Sequence, residues 1–96
     1  AFAYGALTKY LKAHPEEDTS IDGLSQAQRC FIAWGQVWSD KIREGFLRQI
    51  TATNPHAAGQ YRAYAAAQHE PGFYKAFGIR PGDPMWLAPK DRARIW

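Results

Sequence analysis

Ser25-Gln26-Ala27-Gln28-Arg29-Cys30-Phe31-Ile32-Ala33-Trp34-Gly35-Gln36-Val37-Trp38 sets the architecture of this 96-residue chain. Ser25 and Gln28 have the spacing of a capping box. The Ser hydroxyl reaches forward and the Gln amide reaches back, each satisfying a backbone N–H that the first helical turn leaves without a partner. A long helix is therefore expected to start here. Phe31, Trp34, Trp38 and Ile42 recur along one face, while Cys30, Ile32, Ala33 and Val37 make much of the remaining surface apolar, the pattern of a buried helix. This helix is the chief core candidate, and Cys30 reads as a packing residue within it. Phe46, Leu47 and Ile50 prolong the pattern to Thr53, with Gly45 as a bend between two helical sections.

On the N-terminal side, Tyr4, Leu7, Tyr10 and Leu11 repeat at helical spacing between Phe2 and Ala13, and Lys9 and Lys12 lie near the negative end of that helix. Pro15 stops it, and residues 16–20 read as a solvated loop. On the C-terminal side, Asn54-Pro55 ends the helical run and leaves a loop to Gly59 that carries His56. Tyr61 to Gln68 then forms a short helix carrying Arg62. Within residues 70–78, Pro71 falls in a first turn and Gly78 just past an end, the asymmetry of a short helix whose Phe73 and Phe77 share a face. Residues 81–84 read as a turn and residues 89–96 as a last helical turn anchored by Trp96. No alternating run of strand length and no internal repeat interrupts the series. The fold class is all-α, an irregular helical bundle.

Hydrophobic residues at 46% exclude a disordered segment. Four Trp, five Tyr and five Phe are a heavy load for this length, since each large ring removes about 150–250 Å² from water when buried, and a domain of this size hides only about 60–70% of its unfolded surface. The excess predicts an aromatic surface that packs against a partner. The opening Ala1-Phe2-Ala3-Tyr4 already reads as helix, which predicts further polypeptide upstream. No stretch approaches the roughly 20 apolar residues that cross a bilayer, so no membrane segment is expected in this chain. The single Cys30 excludes an internal disulfide framework. The net charge of +3 is dispersed over twelve basic and nine acidic residues; with no basic block and no recognition motif, no nucleic-acid partner is expected. His14, His56 and His69 lack the paired spacing of a zinc-binding helix, so the chain is expected to contribute no metal ligand. His14 and His69 read as solvated.

Cys30-Phe31-Ile32-Ala33-Trp34-Gly35-Gln36-Val37-Trp38 resembles the aromatic helix with a Gln-Val-Trp core in the neprilysin-like family of zinc metallopeptidases, the M13 family. The later motifs follow in the family's order. Asn54-Pro55-His56 and then Arg62 match its histidine, five intervening residues and arginine. Pro71-Gly72-Phe73-Tyr74-Lys75-Ala76-Phe77 resembles its Pro-Glu-Phe and Ala-Phe segment. Gly82, Met85 and Arg92-Ala93-Arg94-Ile95-Trp96 resemble its closing Gly, Met and Arg-x-x-Ile-Trp positions. Each motif alone is weak, whereas the ordered set over residues 22–96 is specific.

The resemblance implies that residues 1–96 are the C-terminal helical fragment of a thermolysin-like metallopeptidase catalytic domain. Zinc would be the parent enzyme's cofactor, held by ligands outside this chain. It also implies that His56 stabilises the oxyanion formed when a peptide carbonyl is attacked, and that Arg62 binds a backbone carbonyl of the peptide substrate. The partners implied are the substrate and the remainder of the peptidase chain; without the latter the isolated chain is expected to be inactive. By resemblance the parent is exported, and the lack of paired cysteines is closer to bacterial members. The sequence departs from the family at Ala58, where Pro is common, at Ala63-Tyr64-Ala65-Ala66-Ala67, which replaces a Val-Asn-Gly-containing stretch, and at His69 and Gly72, where Asn and Glu are common. A free-standing helical module that binds a protein through its aromatic surface is the alternative reading.

Overall fold

Ser25 caps its helix with both halves of the box: its Oγ accepts the Gln28 N–H at 3.1 Å, and Gln28 Oε1 accepts the Ser25 N–H at 2.9 Å. The computed structural model describes residues 2–94. Its helices are α1 (Phe2–Ala13), α2 (Gln26–Val37), α3 (Glu44–Thr53), α4 (Gly59–Gln68) and α5 (Pro71–Phe77), with single 3-10 turns at Pro15–Glu17 and Pro89–Asp91. Among the described residues there is no strand; an isolated bridge between Ile21 and Leu24 closes the two-residue turn Asp22-Gly23, both at positive φ, the geometry for which Asp-Gly is favoured. The all-α class holds. The expected Trp96 anchor and the Ile95-Trp96 pair lie outside the described residues.

α2 ends earlier than its apolar pattern suggested. The N–H groups of Trp38 and Ser39 turn back to the carbonyls of Gly35 and Gln36, tightening the last turn. The chain then runs without helix to Arg43, so Ile42 is not on α2. Ser39 and Asp40 are weaker helix formers than the residues before them, in keeping with a helix that stops short of the longer periodicity. Gly45 lies inside the first turn of α3 and makes no bend between joined helices.

The core also lies elsewhere than expected. Ala67 of α4 and Phe73 and Tyr74 of α5 are the buried apolar residues, and Phe31, Ile79, Met85 and Trp86 pack against them. Phe31 meets Phe73 at 5.4 Å and Tyr4 at 5.1 Å between ring centroids, so α2 joins α5 to α1. No residue of α2 is fully buried, Cys30 is half-buried, and Val37 remains 71% exposed. The radius of gyration is 15.7 Å, against about 12–13 Å for a compact domain of this length. The accessible surface of 7626 Å² likewise exceeds the roughly 5,600 Å² of a self-contained protein of this mass. The aromatic excess in the sequence is thus left at the surface.

α5 forms as its sequence asks. Pro71 occupies its first turn, Glu70 caps it through a bond from the Gly72 N–H, and Gly78 ends it in the left-handed conformation at φ 61°. Gly82, at φ 96°, serves the turn that Asp83 closes onto the Arg80 carbonyl. The C-terminal strap is tied down by Arg92, whose guanidinium lies 3.8 Å from the Tyr74 ring centroid and whose Nε donates to the Leu87 carbonyl. His69 is exposed but not merely solvated: its Nδ1 accepts the Ala93 N–H at 2.8 Å. Near the other end, Tyr10 donates to Glu17 at 2.7 Å. That bond, with lesser contributions from desolvation and the carboxylate charge, pushes the Tyr10 phenol up from its ordinary range.

The Gly72 departure has a local cause. A Cβ at this position would stand 2.2 Å from two atoms of the Tyr4 ring, a clash relieved only if that ring or the helix carrying it shifts. Gly72→Ala should therefore cost about 1–3 kcal/mol of stability in urea denaturation, and most of that cost should vanish when Tyr4→Ala is added. An equal cost with and without Tyr4 would show that the close approach does not set the residue.

Candidate active site

The loop between α3 and α4 is built around Asn54. Its Oδ1 accepts the backbone N–H of His56 at 3.0 Å, an Asx-turn that bends the chain directly after α3. The same oxygen lies 3.0 Å from His56 Nδ1. An amide oxygen only accepts, so Nδ1 carries the proton in this contact. The neutral ring therefore has an unprotonated Nε2, and the imidazolium alone presents an N–H there. His56 is exposed, and Nε2 has no hydrogen-bond partner among the described residues.

Arg62 enters from the first turns of α4. The start of this helix presses on the end of α2: a Cβ at Gly59 would lie 2.9 Å from the Trp38 carbonyl oxygen and 2.8 Å from Asp40 Oδ2. The Arg62 guanidinium carbon sits 4.0 Å from the Trp38 ring centroid. Its N–H groups make no hydrogen bond or ion pair among the described residues. His56 and Arg62 both line an open cleft of about 410 Å³, together with Trp38, Asp40, Ile50 and Tyr61. The chain thus brings together the two site residues singled out in the sequence.

Two further residues of this cleft escaped the sequence reading. Asn54 carried a usable signal, since an Asn two residues before a His is the spacing of an Asx-turn. Trp38 carried none as a neighbour of Arg62, being assigned to a core stripe. No metal set belongs to the cleft. Among the described residues, one group of three potential ligands lies close enough to share an ion, His14, Glu16 and Glu17, all exposed and none of them lining the cleft. The cleft's donors, one imidazole and one guanidinium beside a lone Asp40, do not fit a zinc centre.

A model of peptidase family M13 matches residues 1–93. The chain belongs to this family. Within M13, it is 38% identical over 96 residues to the mouse membrane metallo-endopeptidase-like 1, covering 98% of this chain and 12% of that protein. It is 29% identical over 93 residues to the neutral endopeptidase of Lactococcus lactis strain IL1403, covering 96% of this chain and 14% of that protein. The cryo-EM structure of the zinc metalloprotease Zmp1 of Mycobacterium tuberculosis, in its open state, superposes with a TM-score of 0.82 at 32% identity, over 94% of this chain and 14% of that one. This M13 chain therefore spans about one-eighth of the length of such relatives, and its helical architecture matches one part of a zinc metalloprotease.

Proposed function

We propose that the chain is the C-terminal helical part of the catalytic domain of a zinc-dependent metalloendopeptidase, with His56 as oxyanion donor and Arg62 as substrate clamp. The observation that carries this reading is the cleft that both residues line, with His56 Nε2 and the Arg62 donors uncommitted. Attack of water on a peptide carbonyl develops negative charge on its oxygen, and an N–H already aimed at that position stabilises the transition state more than the neutral ground state. His56 supplies such a donor from Nε2 when the ring is protonated. Arg62 offers its planar set of donors to a backbone carbonyl and so fixes the peptide's register. Zinc and the activation of water are assigned to residues outside this chain.

The large accessible surface and the exposed Val37, Phe46 and Tyr61 support the remainder of the peptidase as the partner that covers this piece, and the isolated chain is inactive on this account. The parent is assigned to an exported compartment, in keeping with the word membrane in the mouse relative's name; no helix among the described residues is long and apolar enough to cross a bilayer. The test is peptide hydrolysis by the full-length enzyme and by this chain alone, each with and without a chelator. Chelator-sensitive cleavage by the former only is expected, and a chain that folds cooperatively as a monomer and gains nothing from the upstream segment would favour the protein-binding module instead.

A further inference from the structure

We infer that Trp38 is a positioning residue for Arg62: its ring orients the guanidinium toward substrate without occupying any of the guanidinium's hydrogen-bond donors. The inference rests on the substrate-clamp reading of Arg62. An arginine on an exposed helix face samples many rotamers, and a donor meant for one carbonyl loses effect in proportion to that freedom. Proteins commonly fix such a side chain with a carboxylate, but a carboxylate takes two of the N–H groups in a bidentate pair. Trp38 avoids that competition. A guanidinium carbon 4.0 Å from the ring centroid is well inside the range of a cation–π contact, an attraction to the ring that uses none of the group's N–H donors in a hydrogen bond. In keeping with this, Arg62 has no ion pair with Asp40, although both line the same cleft.

The platform is itself braced. Trp34, one helical turn earlier, meets Trp38 in a T-shaped contact at 5.7 Å and donates its indole N–H to the Ala63 carbonyl at 3.1 Å, the residue directly after Arg62. One tryptophan thus holds the backbone of α4 while its neighbour holds the side chain. The Gly59 contact fixes the same junction from the other side, since no larger residue fits between α4 and the Trp38 carbonyl. Trp38 is half-buried just past the end of α2 and lines the cleft.

The test is a double-mutant cycle in the full-length enzyme, with kcat and KM measured separately on one peptide substrate. Trp38→Leu should lower kcat/KM about tenfold, the upper part of the range for a partly desolvated cation–π contact, chiefly through a higher KM. Trp38→Phe, which keeps an aromatic face, should restore most of it. In an Arg62→Ala background, Trp38→Leu should have almost no further effect. Should Trp38→Leu impair folding, Trp38→Phe and Trp38→Tyr complete the cycle with smaller changes of the same sign. Additive losses overturn the inference, because Trp38 then acts without Arg62. An Arg62→Ala enzyme with unchanged kinetics overturns the clamp as well, and the two failures are told apart by that single variant.

Discussion

Replacing His56 by Ala in the full-length enzyme should lower kcat by about 10²–10³ and leave KM nearly unchanged. That is the size of effect expected when one preorganised oxyanion donor is removed, and the split follows because the bond forms fully only when charge develops on the carbonyl oxygen. The geometry behind it is the Asx-turn that fixes both the backbone and Nδ1 of His56 on one Asn54 oxygen. A ring so held loses little freedom on reaching the transition state. If His56→Ala raised KM and spared kcat, the residue would be a ground-state contact and the oxyanion role would be wrong.

Arg62→Ala should lower kcat/KM about 10–100-fold, the worth of one or two charge-assisted hydrogen bonds to a substrate carbonyl. Because these bonds exist in the bound substrate and persist in the transition state, most of the loss should be in KM. Arg62→Lys should recover only part of it. A lysine keeps the charge but has neither the planar set of donors nor the flat face that stacks on Trp38. Full recovery by Lys would mean that charge alone matters at this position.

How far the sequence led can be judged at particular residues. The capping box at Ser25 and Gln28, the Pro71 start and Gly78 stop of α5, and the loop placing His56 ahead of the Arg62 helix are local effects, and local chemistry was enough to read them. The run from α2 into α3 was misread because a hydrophobic period marks which face wants burial, not how far the helix continues. α2 stops at Val37, short of Ser39 and Asp40. The core was misplaced for a related reason: Trp34 remains 40% exposed although its helix packs, among the described residues, chiefly on α1, α4 and α5. His56 and Arg62 were singled out through the motif that pairs them, and both line one cleft; their roles there are the proposal. Trp38 was not legible as their neighbour, since its contact with Arg62 joins the residue that closes α2 to a residue of α4 and leaves no periodic trace.

The account stands on His56 and Arg62 addressing one bound peptide. Its most direct test is the structure of the full-length enzyme holding a phosphinic peptide, whose tetrahedral oxygen stands where the oxyanion forms. His56 Nε2 should lie at hydrogen-bonding distance, about 2.6–3.2 Å, from that oxygen, with the Arg62 guanidinium on a backbone carbonyl of the same peptide and still stacked on Trp38. A peptide bound with either side chain turned out of the cleft, or with both covered by other parts of the enzyme, would contradict it.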